Sequence, residues 1–324
     1  MPDARRKRGQ RASTRRRLAV LGIAAFLLVD VGLIAVAVTR EPAGLAADRE
    51  PSALQPSSPA EESTAPVAPT PSATPTSAAA VQPTRLLSAV DGDTAWRGEV
   101  GTCTPGTDTA ELSLETTTTG GADWSSTSVA TNVGLAGIDR LQAADAATVF
   151  VVGPAGATCA PAFAQTFSGG AEFGDYPDRL AAAWYVTRTD TDTVHSPSGD
   201  HAAPCPVIDL AVVSDTRAGV LCGDGTLHRT VDGATTWDAG AFVEGALAVT
   251  ADAGEYLVAS GGSVGCDGVA VASVGDTSTE PARVGCAPTT AGAPGSVAIS
   301  AGAGSLWLWA ADAVLVSADG GRTW

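Results

Sequence analysis

Lysine and histidine are almost absent from the sequence, and its basic residues are concentrated at the start. Lys7 is the only lysine, and eight of the nineteen basic residues fall within the first seventeen positions. From Arg85 onward nine arginines face twenty-eight acidic residues, which gives a net charge of −19. Binding to phosphate needs clustered lysine and arginine. The chain is therefore predicted not to bind nucleic acid.

Metal-ligand spacing is also missing, because none of the six cysteines or three histidines forms a close C-x₂₋₄-C or paired-His pattern. We therefore predict no metal and no cofactor. Two clusters of polar residues offer weak alternatives. Asp91-Gly92-Asp93 resembles a calcium loop but fits a turn between strands better. A second group, within one polar loop, could form a cation site, although a solvated loop is the favoured interpretation: Asp190, Asp192, His195, Asp200 and His201.

One long apolar run stands out against this polar background. Leu18 to Val38 is twenty-one residues long with a single charge, Asp30. A helix of that length rises about 31 Å and matches a hydrocarbon core of about 30 Å. The basic residues before it place the N-terminus in the cytoplasm. We predict a cytoplasmic tail over 1–17 and an uncleaved signal-anchor helix over 18–38; cleavage after Ala35-Val36-Ala37 is the alternative.

The next segment, 39–83, is predicted to be a disordered linker. Nine prolines fall between Glu41 and Pro83, with Ser, Thr and Ala filling most of the rest and no aromatic residue. Such a composition buries too little apolar area to offset the entropy of ordering the chain.

Beyond residue 84 the chain repeats itself. Five openings share an apolar residue, a short alternating run, a turn and a second apolar run, which predicts two antiparallel strands each. They begin at Leu87, Leu141, Leu210, Leu247 and Val297. The long interval between the second and third contains Thr187 to Pro204, which we interpret as an inserted polar loop.

A second motif closes several of these units. Ser317-Ala-Asp319-Gly-Gly321-Arg-Thr323-Trp324 fits S-x-D-x-G-x-T-W, and Thr230-Val-Asp232-Gly233-Ala-Thr-Thr-Trp237 fits it nearly. Degenerate copies keep Gly121 with Trp124 and Gly170 with Phe173. The motif resembles the Asp-box, or BNR repeat, of sialidase-type, sortilin-type and photosystem II assembly-factor-type propellers.

The resemblance implies an all-β fold over 84–324, a β-propeller of about five four-stranded blades. In that family the box forms the hairpin between the third and fourth strands of a blade. Asp and Gly suit such a turn, because the Asp side chain accepts backbone N–H groups and Gly allows positive φ. These residues are predicted to be structural and not catalytic. We further expect a strand near Ala79 to Leu86 to complete the last blade.

The six cysteines are predicted to form three disulfides, because the domain is exported. Their positions relative to the predicted strands favour Cys205–Cys222, Cys266–Cys286 and Cys103–Cys159.

An enzymatic alternative, sialidase-like glycoside hydrolysis, finds little support. The Arg-Ile-Pro motif usual near the start of that domain is missing, and the tyrosines are Tyr176, Tyr185 and Tyr256. Glu255 is next to Tyr256, so the two side chains would point to opposite faces of a strand. Trp307 and Trp309 would share one face of a strand, where core packing is favoured over a platform that stacks carbohydrate.

The sequence thus predicts a single-pass protein of the cell membrane with an extracytoplasmic propeller. We expect a non-enzymatic platform that binds a protein or a glycan at the cell surface, with the loop face that carries Thr187–Pro204 as the contact region. An assembly or stability factor for another membrane complex is the alternative, in which Asp30 would contact a partner helix.

Overall fold

The computed structural model describes residues 81–106, 112–129, 133–293 and 295–324. The predicted tail, the predicted membrane helix with Asp30, and the predicted linker up to residue 80 lie outside these ranges and stay predictions. Among the described residues, no helix is long and apolar enough to span a bilayer.

The described chain forms antiparallel sheets whose strands follow one another in sequence order. We number these sheets as blades 1 to 6. Blade 1 contains β1 (Arg85–Ala89), β2 (Ala95–Glu99), β3 (Ser113–Thr117) and β4 (Ser125–Ser128); blade 2 contains β5 (Arg140–Ala143), β6 (Val149–Ala155), β7 (Ala160–Thr166) and β8 (Gly174–Asp175). After helix α1 (Pro177–Leu180), blade 3 contains β9 (Tyr185–Thr187), β10 (Asp190–Ser196) and β11 (Gly199–Ala202).

The remaining blades follow the same order. Blade 4 contains β12 (Val207–Val212), β13 (Ala218–Cys222), β14 (Thr226–Thr230) and β15 (Ala241–Phe242); blade 5 contains β16 (Ala246–Asp252), β17 (Glu255–Gly261), β18 (Val269–Val274) and β19 (Ala282–Ala287). Blade 6 contains β20 (Ala298–Gly302), β21 (Ser305–Ala310) and β22 (Ala313–Ser317). The five hairpins predicted from the repeated openings all form, as β1–β2, β5–β6, β12–β13, β16–β17 and β20–β21.

The β-propeller has six blades, so the predicted count of about five is wrong. The stretch Thr187–Pro204, interpreted as an inserted loop, provides β10, β11 and the last residue of β9. Its strands carry Asp, Thr, His and Ser where the other blades carry Val, Leu and Ile, so they lack the apolar opening by which the repeats were recognised. Blades 3 and 6 have three strands each among the described residues.

Apolar clusters hold the ring together at the junctions between blades. The cluster around Trp96 and Ile138 joins blades 1 and 2, and the one around Phe163 and Tyr185 joins blades 2 and 3. Three further clusters join blades 3 to 4, 4 to 5 and 5 to 6. The last, around Leu87 and Trp307, joins blade 6 back to blade 1 and closes the ring.

Inside these clusters, hydroxyl groups link the innermost strands. Ser300 Oγ of β20 accepts the N–H of Ala89 at 2.9 Å, and Ser88 Oγ of β1 accepts the N–H of Ala143 at 2.9 Å. Thr250 Oγ1 of β16 accepts the N–H of Ala301 at 3.2 Å. We call these three contacts the hydroxyl belt. Each one gives a backbone N–H of the neighbouring inner strand a partner: the Ala89 contact is buried, and those of Ala143 and Ala301 are partly buried.

The chain does not close the ring in the way that the sequence suggested. Arg85 and Leu86 belong to β1, the innermost strand of blade 1, and not to a fourth strand of blade 6. The residues just before β1 cross one opening of the channel instead. There Thr84 N–H donates to Gly295 O at 2.8 Å, and Gln82 Nε2 donates to Val207 O at 3.0 Å.

The three disulfides are Cys103–Cys159, Cys205–Cys222 and Cys266–Cys286, the same pairs that the strand positions favoured. The first joins blade 1 to blade 2. The second joins the loop before β12 to the end of β13, and the third joins the loop before β18 to β19. Two of the disulfides therefore link parts of a single blade, and Cys103–Cys159 links two neighbouring blades.

The hydroxyl belt predicts a measurable loss of stability in Ser88→Ala. The substitution leaves the partly buried N–H of Ala143 without its acceptor, which costs about 1 kcal/mol, the low end of the range for a buried donor. The free energy of unfolding, measured by urea denaturation, should fall by that amount. Ser126→Ala, at an exposed position of β4, is the matched control and should change it by less than about 0.5 kcal/mol. Equal effects of the two substitutions would contradict the role given to the belt.

Candidate functional site

A channel runs through the centre of the ring of blades. Its volume is about 290 Å³, and residues of all six blades line it. Blade 3 contributes only Val186 and Arg188, whereas β12 of blade 4 contributes all six of its residues. The channel wall is therefore thinnest at blade 3.

Four charged residues gather at this thin part of the wall: Asp139, Arg140, Arg188 and Asp209. Arg188 donates from Nη1 to Pro83 O at 2.7 Å and from Nε and Nη2 to Ile138 O at 3.2 Å. Its Nε also lies 3.8 Å from Asp139 Oδ1, whose side chain is 4% exposed. Arg188 thus ties blade 3 to blade 2 and to the segment before β1.

Arg140 reaches past blade 3. Its Nη1 donates to Leu210 O of β12 at 3.1 Å, and its Nη2 donates to Gln142 Oε1 at 2.8 Å. Its Nε is shielded from solvent and has no hydrogen-bond partner. A side chain of blade 2 therefore contacts the inner strand of blade 4 directly, on the channel side of β9.

Burial shifts the pKa values of all four groups. It raises the pKa of Asp139 to about 6, against the opposing charge of Arg188, and lowers the pKa of Arg140 to about 10. Burial also raises the pKa of Asp209, although backbone N–H groups of Val249 and Leu210 oppose it, and lowers the pKa of Arg188. Arg140 and Asp209 keep some accessible surface, and because both line the cavity we assign it to the channel side.

The Asp-box residues form turns at the blade corners, away from these charges. In blade 6, Ser317 Oγ accepts the N–H of Gly321 at 2.8 Å, and Asp319 Oδ1 accepts the N–H of Thr323 at 2.9 Å. Asp319 Oδ2 accepts the Thr323 hydroxyl at 2.7 Å, and Trp324 Nε1 donates to Gly321 O at 3.1 Å. Gly321 has φ +94°, and a Cβ there would lie 2.7 Å from Leu306 Cδ2.

The box of blade 4 repeats this network. Thr230 Oγ1 accepts the N–H of Ala234 at 3.1 Å, and Asp232 accepts both the N–H and the hydroxyl of Thr236. Trp237 Nε1 donates to Ala202 O of blade 3 instead of to its own turn. Gly233 O accepts the hydroxyls of Ser196 and Ser198 at 2.7 Å each. This box therefore also fastens blade 4 to blade 3.

The degenerate boxes keep part of the network without the Asp. Thr119 and Ser168 stand at the Asp position, and their hydroxyls accept the N–H groups of Asp123 and Glu172. Thr117 and Thr166 accept the N–H groups of Gly121 and Gly170, as Ser317 does for Gly321. Trp124 Nε1 donates to Gly121 O at 3.1 Å, and Phe173 is buried between blades 1 and 2.

The candidate cation sites do not assemble among the described residues, where no group of three His, Cys, Asp or Glu side chains could hold a metal ion. Asp91 caps the β1–β2 turn by accepting the N–H groups of Asp93 and Thr94, as expected for a turn. His195 pairs with Asp200 at 2.5 Å and stacks on Tyr185, while His201 contacts Ser198. Asp190 and Asp192 belong to β10.

The aromatic candidates are buried. Trp307 is 0% and Trp309 7% exposed, which is the core packing that the sequence favoured, and Arg85 and Arg97 lie over the Trp309 ring. Tyr256 is also buried, its pKa is raised to about 12 mainly by burial, and the neighbouring Glu255 is exposed.

No family model matches the sequence, and no curated protein matches it. The fold is similar to a solved structure of YCF48 bound to D1 peptide, with 17% identity over 75% of this chain and 81% of that one and a TM-score of 0.30. It is similar to YCF48 from Cyanidioschyzon merolae (15% identity, 71% and 78% coverage, TM-score 0.41). A GH74 xyloglucanase from Xanthomonas campestris gives 14% identity, 74% and 37% coverage and a TM-score of 0.30. These likenesses concern the fold alone.

The Asp319 turn predicts a loss of stability in acid. Hydrogen bonds from Thr323 and Ser317 lower the pKa of Asp319 from 3.8 to about 2 in the folded protein. Its contribution is therefore present above about pH 4 and lost as the pH falls towards 2. Asp319→Asn should reduce the pH dependence of unfolding between pH 4 and 2, measured by chemical denaturation. Asp312→Asn, at an exposed position of the same blade, is the control and should leave it unchanged.

Asp139 predicts the opposite dependence. Its folded pKa of about 6 lies above the ordinary 3.8, so the folded state holds the proton more tightly and loses stability as the pH rises from about 4 through 6. The loss is about 3 kcal/mol at roughly 1.4 kcal/mol per pH unit. Asp139→Asn should abolish this decline in a series of denaturation curves from pH 4 to 7. An identical decline in the variant would contradict the assignment; Asp178→Asn, in helix α1, is the control.

Proposed function

We propose that the propeller is a non-enzymatic platform that binds a partner protein through the central channel at blade 3. One observation carries the proposal: among the described residues no inner strand lies between β5 and β12, and Arg140 crosses this gap with its Nε unpaired. Binding sites concentrate where a rigid scaffold leaves a concave, partly polar surface. The six junction clusters supply the rigid scaffold.

Charge supports a specific partner at this place. Arg85, Arg140 and Arg188 line the channel with Asp139 and Asp209, so three of the nine arginines after residue 84 converge there. Most of the guanidinium contacts are to backbone carbonyls, as in Arg188 to Pro83 and Ile138. Guanidinium groups that bind backbone carbonyls are suited to holding another polypeptide chain and less suited to proton transfer to a substrate.

Protein is favoured over glycan as the ligand. The Trp pair that would stack carbohydrate is enclosed between blades 6 and 1, so it offers no open aromatic surface. The sequence predicted that the partner would contact the loop face that carries Thr187–Pro204. Because this stretch folds into strands of blade 3, we place the contact region in the channel instead.

The protein is proposed to act outside the cytoplasm, held by a membrane helix over 18–38. Three disulfides with no free cysteine among the described residues suit an oxidising compartment. The apolar run at Leu18–Val38 supplies both the export signal and the anchor.

Site-specific photo-crosslinking in the native membrane tests this function. A benzophenone amino acid at Thr84, an exposed position beside the channel opening, should capture a discrete species that the same probe at Val264, 93% exposed on blade 5, does not. Adding Arg188→Met should weaken that species at least fivefold, while the melting temperature shows that the domain stays folded. Capture that is the same at both positions, or that is indifferent to Arg188, would refute a binding role for the channel.

A further inference from the structure

The direction of β9 shows which strand blade 3 lacks. In blades 1, 2 and 4 the innermost strand runs towards the face of the ring that carries the box turns. There the turn after it contacts the box, as when Gly120, Gly169 and Gly233 donate their N–H groups to Asp93 O, Ala147 O and Thr216 O. We call this the box face.

Blade 3 runs the other way. Trp184, just before β9, is at the box face, where its Nε1 donates to Ser214 O of the β12–β13 turn at 3.1 Å. Arg188, just after β9, is at the opposite face beside Ile138 and Pro83. The turn after β10 returns to the box face at Gly233. The strands β9, β10 and β11 therefore have the directions of a second, third and fourth strand, and the described residues supply no first strand.

No first strand of blade 3 lies within 81–106, 112–129, 133–293 or 295–324, so inside these ranges the inner edge of β9 has no backbone partner. β9 pairs only with β10, and no backbone hydrogen bond joins Tyr185–Thr187 to β5 or β12 among the described residues. An unpaired edge of this kind is a template for an added strand.

The neighbouring strand presents matching side-chain groups. Gln142 has the same register in blade 2 as Ser88 in blade 1, because Gln142 is opposite Phe150 and Ser88 is opposite Trp96. Ser88 accepts an N–H from the next inner strand. At Gln142 no such strand follows within the described parts of the chain, and its Oε1 accepts the Arg140 guanidinium instead. An acceptor and the unpaired Arg140 Nε donor thus flank the vacant position.

The hydroxyl belt also defines the sequence that would fit. A hydroxyl residue followed by alanine recurs at this level in Ser88-Ala89, Thr250-Ala251 and Ser300-Ala301, with an apolar residue before each pair. At Ala89 and Ala301 the alanine N–H donates to the hydroxyl of the preceding blade, and each hydroxyl accepts an N–H from the next inner strand.

We propose that the vacant inner-strand position of blade 3 accepts an extended segment of the partner protein, with a Ser/Thr-Ala pair flanked by apolar residues. The segment pairs with the inner edge of β9, donates an N–H to Gln142 Oε1 and offers a carbonyl to Arg140 Nε. This inference rests on the proposed function and specifies how the channel binds its partner.

A blocked, fluorescein-labelled Leu-Leu-Ser-Ala-Val peptide, the sequence of residues 86–90, is the probe for the full-length protein in detergent. It should bind saturably, and binding should slow hydrogen exchange in the fragment covering 184–189. The matched Leu-Leu-Ser-Pro-Val peptide lacks the N–H that Gln142 accepts, so it should bind at least tenfold more weakly. Gln142→Ala should weaken the first peptide at least fivefold without lowering the melting temperature.

Several results would overturn the proposal: absence of binding, equal affinity for the two peptides, or binding with unchanged exchange in 184–189. The same chain offers a rival occupant in Ser77-Ala78. The rival is supported if hydrogen exchange in 184–189 is already slow in the free protein and becomes faster when Ser77 and Ala78 are both replaced by glycine. That result would reject a partner strand in favour of the segment that contains Ser77-Ala78. Crosslinking at Thr84 that persists and still depends on Arg188 would leave the proposed function standing while the strand proposal fails.

Discussion

The structure depends on closing a ring of inner strands whose backbone donors cannot be left unpaired. Strands at the centre of a propeller have a second edge that no strand of their own blade covers. Here the hydroxyls of Ser88, Thr250 and Ser300 cover part of that edge by accepting N–H groups from the next blade. Asp209 does the same work between blades 4 and 5 with a carboxylate, which accepts the N–H of Val249 at 2.8 Å. The apolar clusters then surround this polar belt.

Blade 3 shows what replaces the belt where the described chain supplies no inner strand. Long side chains span the distance, since Arg140 contacts Leu210 O and Arg188 contacts Ile138 O and Pro83 O. Charged groups in such a place are costly to desolvate, and the raised pKa of Asp139 and the lowered pKa of Arg140 record that cost. The use of Arg140 in place of a strand also leaves its Nε without an acceptor. The side-chain contact that bridges the gap and the proposed binding site are therefore the same feature.

Sequence patterns predicted the parts of the fold that rest on local chemistry. The box turns depend on residues within eight positions of one another, and the hairpin openings alternate in the usual way, so the strands around Leu87 or Val297 could be placed. The cysteine pairs followed from those strands. The number of blades could not be predicted because Asp190–Ser196 is a strand of mostly polar residues, of which only Val194 and Ser196 are fully buried.

The channel charges were missed for a related reason. Asp139-Arg140 comes directly before the apolar opening at Leu141, where a charged pair is ordinarily interpreted as the end of a solvated loop. Only the ring brings Arg188, distant in sequence, beside Asp139. Charged residues occur just before several repeat openings, as at Arg85 and Arg140. This pattern is the sequence signal that could have predicted charged side chains in the channel.

The path of the chain into the domain has a mechanical consequence. The segment at Gln82–Thr84 crosses one opening of the ring and continues directly into β1, which neighbours on both sides hold through Ser300 and Ser88. A pull on the N-terminal side of the domain is therefore transmitted to the innermost strand first. It loads the hydrogen bonds between blades 6, 1 and 2 together, and the clasp at Cys103–Cys159 shares that load. Tension from a tether would reach the gap beside Arg188 before it reached any outer strand.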